Sequence, residues 1–101
     1  MAFIRVGSLS MVPPDSVAEA MAGENSYAIC NIAGKLHVLE GVCPHAGGPL
    51  GQGLLSNNTL ICPWHSYEFD PVTGENLDNP LMRVAKVPVK VEDGDIFIEV
   101  A

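Results

Sequence analysis

The 101-residue sequence carries little positive charge. It has 5 lysine and arginine residues against 12 aspartate and glutamate residues, a formal net charge of −7 at pH 7. Nucleic acid and anionic lipid are both bound through positive charges that replace counterions. The composition therefore argues against a nucleic-acid partner and against a membrane partner. It favours a basic protein partner attracted through the electrostatic field, although an acidic surface also serves plain solubility.

Long apolar runs and a targeting segment are also missing. No run approaches the roughly 20 apolar residues that a membrane-spanning helix needs. Residues 1–7 lack the basic start and apolar stretch of a signal peptide, and the sequence has no twin arginine. We therefore expect a cytoplasmic protein. Its three cysteines cannot all pair, and a reducing compartment disfavours structural disulfides.

Short strands are the dominant local pattern. A chain of this length fits one domain, 1–101, and its apolar stretches are separated by Gly, Pro, Asn and Asp. The stretch 16–22 also suits a helical turn, but a strand is favoured because Gly23-Glu24-Asn25 turns into the next strand. The predicted strands are 3–6, 16–22, 26–32, 36–40, 59–61, 67–70, 83–92 and 96–100.

A central stretch, about 41–80, differs in texture. It is rich in glycine and proline, so little regular structure is expected there beyond two of the short strands. The pattern predicts an all-β fold. We expect a small antiparallel sandwich or barrel that presents one loop-rich subdomain.

Two motifs in this stretch pair a cysteine with a histidine. One reads Cys-Pro-His at 43–45 and the other Cys-Pro-Trp-His at 62–65. Each offers one thiolate and one imidazole within a turn stiffened by proline, and such ligands call for a metal. The candidate ligands are Cys43, His45, Cys62 and His65.

The kind of metal centre depends on whether all four ligands bind one ion or are shared between two. Structural zinc usually takes ligand pairs spaced by two to four residues that wrap one tetrahedral ion. The spacing from Cys43 to His45 is tight for that purpose. It suits a two-iron cluster better, with the cysteines on one iron and the histidines on the other, which is the Rieske arrangement. Zinc remains the alternative at this point.

The sequence around both motifs resembles the Rieske family. The matching stretches are 43–50 and 62–70, closed by Thr73-Gly74. The resemblance is greatest to the small soluble ferredoxins of bacterial aromatic-ring dioxygenase systems. It implies a [2Fe–2S] cluster with Cys43 and Cys62 on the inner iron and with His45 and His65 on the outer iron. It also implies that Pro80 lies in a third loop that covers the cluster.

Departures from the family are informative as well. High-potential Rieske proteins carry two further cysteines that bridge the cluster loops, and this sequence has Gly48 and Trp64 there. Those proteins also donate hydrogen bonds to cluster sulfurs from a serine and a tyrosine. The matching residues here are Tyr67 and Phe69, and a phenylalanine cannot donate. We therefore predict a potential near the low end of the Rieske range.

The resemblance implies an electron carrier rather than an enzyme. The chain would pass single electrons from a flavin-dependent reductase to a terminal oxygenase. An oxygenase needs a further iron site with two histidines and a carboxylate, and only His37 remains after the cluster ligands. The alternatives are a small subunit of a larger redox enzyme such as assimilatory nitrite reductase, a structural zinc domain, and a redox or iron sensor.

Three further features allow a prediction. Cys30 lies within an apolar strand and is expected to be a small buried residue. His37 is expected to be a partly exposed residue of a strand. Four acidic residues form either a solvated rim or a docking patch for the reductase, and the two interpretations stand equal. These residues are Glu68, Asp70, Glu75 and Asp78.

Overall fold

The fold is built almost entirely from short strands. The computed structural model describes residues 2–44, 47–64 and 66–100. The strands of this part of the chain are β1 (Ala2–Ser8), β2 (Ser16–Ala22), β3 (Asn25–Ile32), β4 (Lys35–Glu40), β5 (Leu54–Ser56), β6 (Thr59–Ile61), β7 (Glu68–Phe69), β8 (Lys86–Val87), β9 (Val89–Glu92) and β10 (Asp95–Val100). Two 3-10 helices lie at Leu9–Met11 and Leu50–Gln52. No helix in these described ranges has the length and apolar character needed to cross a membrane.

The strands form three antiparallel sheets. Their orders are β1-β10-β9, β2-β3-β4-β8 and β5-β6-β7. Tight turns join neighbouring strands, as at Asp93-Gly94, where both residues have positive φ angles of 51° and 80°. Such a turn matches the twist of the strands it connects, and Gly adopts it without strain. The all-β prediction is confirmed.

The middle sheet, β2-β3-β4-β8, is buried on both faces. Because side chains alternate along a strand, Tyr27 and Ile29 of β3 face one core while Ala28 and Cys30 face another. The first, here the strand core, consists of Val12, Ala20, Tyr27, Ile29, Leu36, Val38, Ile96 and Ile98. The second, here the loop core, consists of Ala28, Cys30, Leu39, Cys43, Leu50, Leu55, Leu60, Cys62, Phe69 and Val84. One face of the middle sheet thus packs, through the loop core, against the segments that carry Cys43 and Cys62.

Seven of the eight predicted strands are found, with ends that differ by at most two residues. The prediction of one continuous strand at 83–92 is wrong. Pro88 separates β8 from β9, since proline has no N–H to donate to a ladder. β8 pairs with β4 in the middle sheet, whereas β9 pairs with β10 in the first sheet. The sequence prediction also missed β5, which is only three residues long.

Candidate metal centre

Two six-residue loops begin at the predicted cysteine ligands and are closed in the same way. In loop 43–48 the N–H of Cys43 donates to the carbonyl of Gly48 at 2.8 Å. In loop 62–67 the N–H of Cys62 donates to the carbonyl of Tyr67, also at 2.8 Å. The fourth residue after each cysteine has a positive φ angle, 77° at Gly47 and 57° at Ser66. Two unlike sequences therefore share the same closing hydrogen bond and the same positive φ position, each with a cysteine at its start.

The remaining chain holds the two loops next to each other. Loop 43–48 is followed by the bridge between Val42 and Pro49, and the N–H of Leu50 donates to the carbonyl of Gly41 at 2.9 Å. Loop 62–67 lies between β6 and β7, which pair through Leu60 with Phe69. Short strand-like pairing therefore flanks each loop, and this pairing fixes the position of the cysteine at the start of the loop.

Both cysteine thiols are buried and lie side by side. Cys43 and Cys62 are each 1% exposed, and both belong to the loop core together with Phe69. Neither is in a disulfide, and Cys43 is close enough to Cys62 to raise the pKa of its thiol. Two neighbouring free thiols are a ligand pair that suits a soft or borderline metal ion.

Burial and two neighbouring residues determine the pKa of Cys62. Burial raises the pKa of the Cys62 thiol, the backbone N–H of Trp64 opposes this by donating to Cys62 Sγ at 3.4 Å, and the adjacent Cys43 raises the pKa again. A metal ion binds cysteine as the thiolate, so metal binding would favour deprotonation of Cys62 although its pKa is raised. The Trp64 amide already points at the sulfur, so one hydrogen bond to the bound thiolate exists before the metal arrives.

Gly48 keeps open the space beside the sulfur. A Cβ on residue 48 would lie 2.9 Å from Cys62 Sγ and 3.0 Å from Trp64 Cγ. Only glycine permits the backbone of loop 43–48 to approach the second loop so closely. Paired thiols, an amide aimed at one of them and a glycine against the sulfur together fit an iron–sulfur group held by thiolates.

The two predicted histidine ligands, His45 and His65, lie outside the described residues. Their neighbours in sequence, among them Pro44 and Ser66, are exposed, and Trp64 is 48% exposed. Within the described ranges no three His, Cys, Asp or Glu side chains come together as a metal site. The assignment of the four ligands therefore stays a prediction.

The other sequence predictions on single residues have clear outcomes. Cys30 is fully buried, as expected, and burial raises the pKa of its thiol to about 12. His37 is half-buried on β4, also as expected, and its pKa is lowered by burial first and then by Lys86 and Lys35. Phe69 is completely buried in the loop core, where it offers only hydrocarbon.

Sequence reasoning missed Asn76, which organises the loop that carries Pro80. Asn76 is buried, and its Oδ1 accepts the N–H groups of Asp78 and Asn79, both at 2.9 Å. Its own N–H donates to the carbonyl of Met82 at 2.9 Å, which closes the loop. An asparagine placed before polar residues and a proline is a turn signal that could have revealed this role. Pro80 itself is exposed, and its place over a cluster stays a prediction.

The acidic residues after the second motif are not equivalent. Glu68 and Asp78 are exposed, while Asp70 and Glu75 are half-buried. Asp70 Oδ1 accepts the N–H of Val72 at 2.9 Å, so this carboxylate is part of a turn. Whether the four residues dock a reductase stays a prediction.

Comparison with known proteins agrees with this geometry. Residues 2–90 match the Rieske [2Fe-2S] domain. The chain is 26% identical over 98 residues to the ferredoxin component of the naphthalene 1,2-dioxygenase/salicylate 5-hydroxylase systems of a Ralstonia species, covering 96% of this chain and 94% of that protein. It is 39% identical over 66 residues to human apoptosis-inducing factor 3, covering 64% of this chain but only 11% of that protein.

The fold agrees with a solved ferredoxin as well. The chain superposes on the Sphingomonas yanoikuyae B1 ferredoxin with a TM-score of 0.87 and 24% identity, covering 99% of this chain and 100% of that chain. The family match covers most of the chain, and family membership implies the cofactor. The chain belongs to the Rieske [2Fe–2S] domain family, and its cofactor is a Rieske-type [2Fe–2S] cluster.

Proposed function

We propose that the protein is a one-electron carrier that passes electrons from a flavin-dependent reductase to a terminal oxygenase. The observation that carries this proposal is the meeting of the Cys43 and Cys62 thiols at the start of two equivalent loops. Each loop also contains one histidine of the motif. A relative that matches nearly the whole chain is named as a ferredoxin component of a dioxygenase system, which supports the same role.

The proposed ligands are Cys43, His45, Cys62 and His65. The cluster supplies a group that takes up and releases one electron. The buried cysteines anchor it on the loop core, which keeps water from that side. The described residues that flank the histidines in sequence are exposed, so a partner can approach the site from the side of these residues.

We infer that the chain has no catalytic site of its own. An oxygenase would need two more histidines and a carboxylate at a separate iron. The single remaining histidine, His37, lies on β4 beside two lysines. Their positive charges would repel a bound metal cation. We further propose a cytoplasmic protein in which 1–101 forms one Rieske domain and about 41–80 forms its cluster-binding subdomain.

Metal analysis with spectroscopy tests the cluster and its ligands. We would purify the protein anaerobically, count iron and zinc, and record electron paramagnetic resonance (EPR) after dithionite reduction. We expect two irons per chain and a rhombic signal whose average g value lies below that of all-cysteine ferredoxins. Zinc in folded protein without an EPR signal would overturn the proposal.

Single substitutions test the ligand set. The variants Cys43→Ser, His45→Ala, Cys62→Ser and His65→Ala should each lose iron or the rhombic signal. Cys30→Ala is the matched control, because Cys30 is equally buried in the loop core but is not a proposed ligand. This control should retain two irons. A histidine variant that keeps the native signal would show that its residue is not a ligand.

Transfer to a partner tests the carrier role itself. Reduced protein would be mixed in a stopped-flow instrument with the oxidised oxygenase of a naphthalene 1,2-dioxygenase system. We expect reoxidation of the cluster together with reduction of the oxygenase, saturating with its concentration. Absence of transfer, with copurification of a large redox subunit from native cells, would instead favour the small-subunit alternative.

A further inference from the structure

A groove lies beside β4, at the point where β8 gives way to β9. It has a volume of about 470 Å³. Its lining consists of residues 35–38 and 86–89, with Leu36, Val38, Val87 and Val89 as its aliphatic members and Lys35 and Lys86 as its two lysines. The apolar members belong to the strand core or pack against it, and the two lysines are exposed. The groove therefore has an apolar floor with positive charge at its rim.

The groove exists because β4 is longer than its partner. β8 pairs with β4 only at Val38 and Leu39. After Pro88 the chain continues as β9, which belongs to the first sheet. Residues 35–37 of β4 consequently have no paired strand on this side among the described residues. The N–H of Glu40 donates toward this side, to the carbonyl of Ala85 at 3.0 Å. Since backbone directions alternate along a strand, the N–H and carbonyl of Leu36 face the open side too.

The lysines at the rim are not neutralised. Arg5 pairs with Asp95 at 3.1 Å and Lys90 pairs with Glu92 at 3.0 Å. The side chains of Lys35 and Lys86, by contrast, form no ion pair or hydrogen bond within the described part of the chain. In a protein of net charge −7, this is a local surplus of positive charge.

The pKa of His37 is affected by the same two lysines. Both lysines lower its pKa, in addition to the larger effect of burial, while Asp70 acts in the opposite direction. His37 therefore carries little charge of its own at neutral pH, and the positive potential of the groove comes from the two ammonium groups.

We propose that this groove binds an extended acidic segment of a partner protein, which adds to the open edge of β4 at 35–37. The backbone of the segment pairs with Leu36, and its carboxylates meet Lys35 and Lys86. Its apolar side chains rest on the floor of the groove. Addition of a strand to an exposed edge is a common way to bind extended peptides, with main-chain bonds giving affinity and side chains giving selectivity.

This binding surface is separate from the proposed cluster site. None of the groove residues belongs to loops 43–48 or 62–67. A partner can therefore hold the protein through the groove while the exposed residues of these loops, among them Pro44, Trp64 and Ser66, remain free to meet a redox centre. The inference does not depend on which proteins exchange electrons with the cluster.

Peptide titration of the folded, cluster-loaded chain tests the proposal. The probe is a capped octapeptide of alternating glutamate and valine, with a fluorescent label for anisotropy. We expect saturable binding and, in hydrogen-exchange measurements, new protection of the Leu36 amide. A peptide of alternating lysine and valine should not bind. Equal binding of both peptides, or no protection at Leu36, would overturn the proposal.

Charge variants locate the site. The double variant K35E/K86E should weaken binding by about tenfold or more, since two attractions become repulsions. K90E is the matched control, because Lys90 lies on β9 and pairs with Glu92, and it should bind as the parent does. EPR of the cluster verifies that each variant is folded. Equal losses in both variants, or displacement of the peptide by acetate at the same carboxylate concentration, would contradict a peptide site at this edge.

Discussion

Gly48 lies directly against Trp64, so the two cysteine loops touch backbone to side chain. A Cβ at position 48 would stand 3.0 Å from Trp64 Cγ and 3.1 Å from Trp64 Cβ. In the high-potential Rieske proteins, from which this sequence departs at these two positions, two cysteines are expected to bridge the loops. Here close packing of a glycine against an indole takes the place of the covalent bond.

Gly48→Ala should destabilise the centre. The added methyl group would meet both Cys62 Sγ and Trp64, and overpacking of this kind typically costs about 1–3 kcal/mol. We expect a lower melting temperature, loss of iron during purification and an altered EPR signal. Calorimetry and iron analysis provide the measurement.

Gly47→Ala is the control for this substitution. Residue 47 has a φ angle of 77°, and a Cβ there would meet no atom of the described residues within 4 Å. Alanine should cost only the strain of that conformation, about 1–2 kcal/mol, and leave the EPR signal unchanged. Full iron and a native signal in Gly48→Ala would show that the loops can separate without harm.

The midpoint potential should lie in the lower part of the Rieske range, which spans roughly −150 to +300 mV. Hydrogen bonds to the sulfurs favour the reduced, more negative state, and Phe69 is a buried hydrocarbon where high-potential proteins have a donor. Redox titration followed by circular dichroism measures the value. A midpoint well above zero would contradict the prediction.

Phe69→Tyr should raise this potential, because a hydroxyl is placed in the loop core beside the cysteines. Phe69→Leu is the matched control, since it changes the volume at the same site without adding a donor. We expect the tyrosine variant to have the higher midpoint of the two. Equal midpoints would show that the hydroxyl does not reach a sulfur.

Removal of the cluster should loosen one core and spare the other. Both proposed cysteine ligands lie in the loop core, whose own sheet has strands of only two or three residues. The strand core contains no cysteine and joins longer strands, including β10. After chelation at neutral pH, amides of β5–β7 should exchange faster while those of β1 and β10 remain protected. Uniform loss of protection would instead indicate one cooperative unit.

The pKa of His37 should rise in Lys86→Gln, because Lys86 is the larger of the two charge effects that lower it. Lys35→Gln should raise it less, and Asp70→Asn should lower it further. Lys90→Gln, on the first sheet, should leave it unchanged. NMR titration of the imidazole measures each shift, and an unaltered His37 in Lys86→Gln would refute the proposed local field.

The same shift has a consequence for stability. The unfolded chain binds a proton at His37 at a higher pH than the folded chain does, so acid favours unfolding. The contribution of His37 is fully present above its ordinary pKa of about 6.5 and is lost as pH falls through the folded value. Lys86→Gln should flatten this part of the stability curve, and urea unfolding at several pH values would measure it.

Several features follow from the sequence alone because they depend on neighbours along the chain. Alternation of side chains and turn residues such as Asp93-Gly94 located most strands and the all-β class. The types and spacing of Cys43, His45, Cys62 and His65 predict a shared metal centre, and this ligand set stays a prediction. Cys30 was correctly predicted to be buried from its apolar neighbours.

Other features were decided only by the tertiary structure, because their partners are distant in sequence. Pro88 is a local sign of a break, but the assignment of β8 and β9 to different sheets depends on their distant partners β4 and β10. The equal closure of the two cysteine loops, the contact of Gly48 with Trp64 and the groove between Lys35 and Lys86 likewise depend on long-range packing. Residue types indicate which groups can bind a metal, whereas the packing around those groups is determined by contacts between distant parts of the chain.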